Sequence, residues 1–304
     1  MKVLLINANR FKQPWPVIPF GLIWVASVLE NQGHQVQVLD LCFSKNCSRD
    51  IQAALLKHNP ALVGVSIRNI DNSAGYNTLF LLEQTRKDVI EPLKRFYTGP
   101  IVLGGPAVGI NGAEILEYMD LEFAIRGDGE QAMTELASRL EQNQNPKGLS
   151  GLVIREQGRI IQDSEPNRVG DLNKLPTPNP ARYIELAPYR RFNSPLQIQT
   201  KRGCALQCTY CTYNAIEGTR YRLRDPELVA QEIQDLTQAT GIKHVEFTDS
   251  TFNVPLDHGK EVLRALIRKN CNLKLRTMGL NPGYVDEELV DLMKQAGFME
   301  VDLG

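Results

Sequence analysis

The stretch "QTKRGCALQCTYCTYN", residues 199–214, places Cys204, Cys208 and Cys211 within eight positions of a chain that has only six cysteines in 304 residues. It follows the short apolar run "LQIQT" at 196–200 and runs through Gly203. That context predicts a loop at the carboxyl end of a strand, the edge where α/β barrels carry their chemistry. Three thiolates can ligate three irons of a [4Fe–4S] cluster and leave the fourth iron open to a non-protein ligand. A structural zinc would ask for four ligands, and no histidine lies near the motif, the closest in sequence being His244. A catalytic zinc with three protein ligands is the alternative.

Working outward, the residues after the motif alternate helix and strand: a helix over 225–239, strand "HVEFT", a helix over 258–269, strand "LKLRT", a helix over 286–296 and a last strand "MEVDL". Before it, residues 146–195 break the rhythm. "GLVIREQGRIIQD" predicts a hairpin turning near Gly158, and "LNKLPTPNPARYIELAPYRRFNSP" has too many prolines for a helix, so the segment reads as a linker or a wrap between domains. Residues 1–145 alternate strictly again. "KVLLI", "QVQVLDL", "ALVGVSI", "PIVLGG" and "LEFAIRG" read as strands, with helical stripes between them such as Leu22, Val25, Ala26 and Leu29 ending at the C-cap glycine Gly33. This pattern predicts a Rossmann-like, flavodoxin-like doubly wound parallel sheet, whose ligands bind beyond the carboxyl ends of the strands. The expected organisation is a sheet domain at 1–145, a linker with a hairpin at 146–195, and a partial barrel at 196–304.

Length fits two domains and a 42% hydrophobic content suffices for two cores. The net charge of −1, with both signs interspersed, gives no field that would draw the chain to nucleic acid or a membrane surface, so a small-molecule partner is expected. The basic runs at 189–191, 201–202 and 220–224 suit either an anionic or RNA ligand or packing around a negative cofactor. No apolar run reaches the roughly 18 residues of a membrane span. The start "MKVLLINANR" is too short in apolar residues for a signal peptide. A cytoplasmic, thiol-reducing setting is therefore expected. Cys42, Cys47 and Cys271 have no ligand-like spacing and read as small buried hydrophobes. His34, His58, His244 and His258 read as surface or capping residues.

The spacing C-x3-C-x2-C in "RGCALQCTYC", with the aromatic Tyr210 before the third cysteine, resembles the signature of radical S-adenosylmethionine (SAM) enzymes. The resemblance extends through "RYRLRDPELVAQEI", "VEFTDSTFNVP" and "GLNPGYVDEELVDLMKQAGFMEVDLG". It implies that Cys204, Cys208 and Cys211 hold a [4Fe–4S] cluster and that SAM occupies the open iron and is cleaved to a 5′-deoxyadenosyl radical. It also implies that Tyr210 packs toward the adenine, the other reading being a core aromatic. Asp249 would face SAM or substrate, or else cap the following turn. An electron donor such as flavodoxin or ferredoxin is implied as partner.

The first half resembles the cobalamin-binding domain joined to many such enzymes, through "P-x-G-L" at 19–22, "VGVS" ending at Ser66, "VLGGP" at 102–106 and "IRGDGE" at 125–130. The resemblance implies that Ser66, Gly104, Gly105, Pro106 and Gly127 line a cobalamin site. Asp128 and Glu130 would bond the ligand or start the helix. The D-x-H-x-x-G pattern that supplies a histidine to cobalt is absent, and Ala107 stands where relatives often have a histidine. Cobalamin would then bind without a protein histidine, or have been lost. There is no G-x-G-x-x-G for a dinucleotide.

Together these imply a cobalamin-dependent radical SAM enzyme carrying out methyl transfer or oxidative ring formation, against a non-catalytic Fe–S or cobalamin-binding protein. The 109 residues from 196 to 304 are too few for the roughly six βα units of such a barrel, so a truncated barrel is expected.

Overall fold

The computed structural model describes residues 1–162 and 164–304. The chain divides into two compact units, Met1–Val169 and Gly170–Gly304.

The first unit holds strands β1 (Lys2–Asn7), β2 (Gln35–Asp40), β3 (Leu62–Ser66), β4 (Ile101–Gly104), β5 (Phe123–Ile125), β6 (Leu152–Glu156) and β7 (Arg159–Ile161). They form one sheet in the order β2-β1-β3-β4-β5-β6-β7, parallel through β5 and antiparallel beyond. The strands read as near-continuous apolar runs because both faces are covered: Leu4, Ile6, Val63, Val65 and Leu103 are at most 1% exposed. Burying such side chains contributes roughly 1.5–3 kcal/mol each. Helix α1 (Phe20–Asn31) packs with α6 (Gly129–Glu141). Helix α2 (Cys47–His58) packs with the segment made of α3 (Leu81–Thr85), a π-helical turn (Arg86–Ile90) and α4 (Glu91–Phe96). Helix α5 is Pro106–Met119. Because chain order reverses between β1 and β3, the expected doubly wound sheet is present with its switch point there.

The hairpin turns at Gln157–Gly158, both with positive φ, which is what a two-residue loop between twisted strands requires. It is not free linker. Phe123 pairs with Ile154 across β5 and β6, so the hairpin extends the first sheet. The sequence shows the turn but not this long-range pairing.

In the second unit short helices α7 (Pro180–Tyr183) and α8 (Ala187–Arg191) lead into β8 (Leu196–Ile198) and β9 (Lys201–Arg202). Then come α9 (Tyr213–Glu217), β10 (Arg222–Leu223), α10 (Pro226–Thr240), β11 (His244–Phe247), α11 (Leu256–Lys269), β12 (Lys274–Leu280), α12 (Glu287–Ala296) and β13 (Phe298–Leu303). Strands β8, β11, β12 and β13 lie side by side in chain order, all parallel, with register Ile198↔Phe247↔Thr277. This is the expected run of βα units. Its helices start and stop on capping residues: Asp225 and Asp286 accept N-cap hydrogen bonds, and Gly241 and Gly297 end α10 and α12 in left-handed geometry. Among the described residues, no helix is long and apolar enough to cross a membrane.

Candidate functional site

The cysteine loop leaves the sheet at β8 and is tied off by a two-stranded ladder: Lys201 and Arg202 of β9 pair antiparallel with Leu223 and Arg222 of β10. The ladder brings residues 203 and 221 to one root. There Gly203 has φ +87°, and a Cβ on it would lie 2.0 Å from the Arg220 carbonyl oxygen, so only glycine fits. Cys204 donates its N–H to Gly218 O (3.0 Å), and a turn closes from Cys211 N–H to Cys208 O (3.1 Å).

A buried carboxylate supports the root from below. Glu217 accepts from Gly203 N (3.2 Å) and from the Gln199 amide (3.0 Å), while its own carbonyl accepts from Arg222 Nη2 (2.8 Å). Arg224 donates to Gln199 O (2.9 Å) and forms a fork with Glu232, 2.5 and 3.3 Å, with both side chains nearly fully buried. The basic runs at 201–202 and 220–224 thus turn Lys201, Arg202 and Arg224 inward, where they are buried and build the loop's foundation.

The three thiols differ in exposure: Cys204 is buried at the root, Cys211 is half-buried and Cys208 is exposed. Among the described residues, no three His, Cys, Asp or Glu side chains converge so as to hold one metal ion. A mononuclear zinc needs its ligands within about 2.0–2.3 Å of one point, whereas a cluster takes each thiolate on a different iron. The donor set, three thiols on one loop that is tied off at its root, suits a cluster. Tyr210 is 81% exposed, so it is not a core aromatic, and the neighbouring Cys208 thiolate raises its phenol pKa. Tyr221 Oη is buried without a hydrogen bond of full geometry, and its pKa is pushed up to about 12, mainly by burial and then by Cys204.

Asp249 lies just beyond the carboxyl end of β11. Its side chain is fully buried, and it accepts from Thr200 N (2.8 Å), Thr200 Oγ1 (2.7 Å), Lys201 N (3.3 Å) and Lys201 Nζ (3.4 Å). Through these bonds it clamps the entry of the cysteine loop to the end of β11. Lys201 Nζ also donates to Phe252 O (3.1 Å), and His258 Nε2 meets Thr200 O at 3.2 Å. His258 is thus a buried strut, not a surface residue, and burial followed by the Lys201 charge lowers its pKa. No periodicity or spacing marks Thr200, Lys201, Glu217 or His258 as supports of the loop; the register of β8 against β11 and the β9–β10 ladder bring them to its root.

In the first unit the expected ligand-facing residues divide. Gly104, at the end of β4, has open space where a Cβ would project, and Pro106 is exposed at the first turn of α5. Gly105, at φ +97°, is packed against the Ile67 carbonyl and the Ser66 hydroxyl. Gly127 is closed off: a Cβ there would lie 2.2 Å from Asn167 O, because residues 167–169 cross it as a strap. The same strap uses Asp128, whose Oδ2 accepts from Val169 N at 2.8 Å, and Glu130 is buried in the first turn of α6. Gly127 and Asp128 therefore serve the strap, a role hidden in the sequence because the partner is some forty residues away. The open side at Gly104, beside Ser66 at the carboxyl ends of the strands, fits a large ligand approaching the backbone.

Comparison with known proteins finds relatives for both halves of the chain. Residues 9–137 match the B12 binding domain and residues 198–304 match the Radical SAM superfamily. The chain is 27% identical to tryptophan 2-C-methyltransferase of Streptomyces laurentii over 99% of its own length and 59% of that protein's. It is 26% identical to cytidylyl-2-hydroxyethylphosphonate methyltransferase of Streptomyces wedmorensis, over 99% and 64%. The structure of the radical SAM methyltransferase TsrM from Kitasatospora setae, with cobalamin and a [4Fe–4S] cluster bound, superposes on the whole chain and on 58% of TsrM with a TM-score of 0.88 at 27% identity. The chain spans about 60% of the length of these relatives. Residues 198–304 thus carry a radical SAM domain, preceded at residues 9–137 by a B12-binding domain.

Proposed function

We propose that the protein is a cobalamin-dependent radical SAM methyltransferase acting on a small molecule. The observation that carries this reading is the loop of Cys204, Cys208 and Cys211, rooted at the carboxyl end of the first strand of a parallel βα unit, in a chain whose full length superposes on TsrM. Cys204, Cys208 and Cys211 would hold the cluster, Tyr210 would flank bound SAM, and Ser66, Gly104, Gly105 and Pro106 would form the cobalamin face. When bound, the cluster supplies one-electron cleavage of SAM and cobalamin supplies a transferable methyl group. The chain's own work is positional. Asp249, Lys201 and Glu217 fix the root of the loop, and the buried Cys204 is shielded from water while Cys208 and Cys211 remain accessible. The site needs reduced thiols, so we place the protein in the cytoplasm, with a flavodoxin or ferredoxin as electron donor.

The test is anaerobic reconstitution with iron and sulfide, addition of hydroxocobalamin, and incubation with SAM labelled in its methyl group and a strong reductant. About four irons and four sulfides per chain are expected, with formation of 5′-deoxyadenosine or S-adenosylhomocysteine. Retention of fewer than one iron per chain overturns the cluster assignment. A full cluster without either SAM product overturns catalysis in favour of a binding role.

A further inference from the structure

Two buried hydrogen-bond donors without partners meet in one cleft of the first unit. The cleft opens between the carboxyl ends of β1 and β3, the switch point of the sheet, and is walled by the 8–11 loop, by Arg68 and Asn69, and by the π-helical turn that carries Asp88. Asn9 is 8% exposed, and its Nδ2 is buried with no partner. The orphan is a donor, because the other end of the amide is assigned: Asn9 Oδ1 accepts the Phe11 N–H at 3.4 Å, and turning the amide over would set NH2 against that N–H. The Asn9 backbone N–H is in turn taken by Asn7 Oδ1 at 3.2 Å, which fixes the loop. Next along the chain, Arg10 is held by Asp88 through Nη1 and by Ser44 O through Nη2 at 3.3 Å, while its Nε is buried and unpaired.

An unpaired buried donor is costly, and neighbouring ones in a cleft at a switch point mark a place where a ligand supplies the acceptors. A cation is disfavoured, since the orphan groups are donors and Asp88 already faces Arg10. We propose that Asn9 and Arg10 form a subsite that receives an oxygen acceptor of cobalamin, either an amide carbonyl at the edge of the corrin or the phosphate of its nucleotide loop. This rests on the reading that the first unit binds cobalamin, and it adds residues outside the Ser66, Gly104 and Gly105 face. The π-helical turn acquires a purpose: its wider backbone carries Asp88, which pins Arg10 and so fixes the second donor.

The test titrates hydroxocobalamin, and separately hydroxocobinamide, which lacks the nucleotide loop, into the reconstituted protein and follows corrin absorbance. Asn9→Asp keeps the shape but replaces the donor with a charged acceptor, and Arg10→Lys keeps the charge opposite Asp88 but removes Nε. Melting curves of the ligand-free variants check the fold. Affinity for cobalamin should fall about tenfold or more for N9D and about fivefold for R10K. Equal losses for cobinamide assign the acceptor to a corrin amide, and a loss confined to cobalamin assigns it to the nucleotide phosphate. Wild-type affinity for both corrinoids in both folded variants overturns the subsite and leaves cobalamin binding intact. Failure of the wild type to bind either corrinoid overturns the cobalamin reading itself, and the subsite with it.

Discussion

Asp249 grips Thr200 twice across the carboxyl ends of neighbouring strands, Oδ1 on its N–H at 2.8 Å and Oδ2 on its hydroxyl at 2.7 Å. Only four positions separate Thr200 from Cys204, so the clamp sets the course of the chain into the cysteine loop. Through it, the second βα unit positions the thiols of the first.

Removing that carboxylate should therefore damage the cluster site from beneath. Asp249→Ala leaves the Lys201 ammonium, 1% exposed, without its counter-charge, and breaking a buried pair in this way costs about 3–5 kcal/mol. Hydrogen exchange should show residues 200–221 losing protection while the first unit is unchanged, and reconstituted iron should fall well below wild type. Asp249→Asn should follow the same course, because its NH2 would oppose the donors of Thr200 and Lys201. Normal exchange and full iron in D249N, with only SAM binding lost, would instead make Asp249 a ligand contact.

The two glycines Gly203 and Gly104 should respond in opposite ways. Gly203→Ala forces a Cβ to 2.0 Å from Arg220 O at positive φ. The backbone must shift, so the loop root should open, with a loss of about 2 kcal/mol or more and little cluster incorporated. Gly104→Ala meets nothing within 4 Å, so stability should change by no more than about 0.5 kcal/mol. If Gly104 marks the ligand's approach, corrinoid affinity falls in that variant although its melting temperature does not.

What the sequence made legible and what it hid follow from range. Local patterns sufficed for the order of strands and helices, for the end of the first helix at Gly33 and for the hairpin turn at Gly158. The three cysteines were visible because a cluster loop needs its ligands close in sequence. The ladder of Lys201–Arg202 with Arg222–Leu223 was invisible because two residues show no period. Between β3 and β4 the chain forms α3, a π turn and α4, and the π turn is hidden because one extra residue in a helical stripe barely alters its apolar spacing. Gly127 and Asp249 each meet backbone distant in the chain, Asn167 some forty residues on and Thr200 49 residues back, and no local pattern shows such contacts.

The fork between Arg224 and Glu232 invites a double-mutant cycle. Arg224→Met alone strands a carboxylate that is 3% exposed and should cost about 3–5 kcal/mol, as should Glu232→Leu. The double variant should recover most of this loss, because replacing both buried charges with apolar groups of similar volume is close to neutral. Recovery should stay incomplete by about 1 kcal/mol, since Arg224 also donates to Gln199 O at 2.9 Å. Full recovery would show that this last bond contributes nothing to the loop root, and no recovery would show that the pair acts only through other partners. Urea unfolding followed by circular dichroism supplies the free energies.

His258 gives the second unit a dependence on pH. Its ring is buried under the loop root with Nε2 3.2 Å from Thr200 O, so in the neutral ring Nε2 carries the proton and donates it. Lys201 and Asp249 are the charged groups beside it, and burial, then Lys201, holds the folded-state pKa below the ordinary 6.5. The sign follows from which state takes the proton first. As pH falls below 6.5 the unfolded chain protonates this histidine while the folded chain resists, so stability present above that pH drains away toward the folded pKa. The unfolding free energy of the second unit should therefore decline between neutrality and mild acid, before most carboxylates titrate. His258→Gln, which retains a donor for Thr200 O without a titrating ring, should flatten that decline. An unchanged slope in H258Q, measured by denaturant unfolding across this range, would place the acid sensitivity on another group.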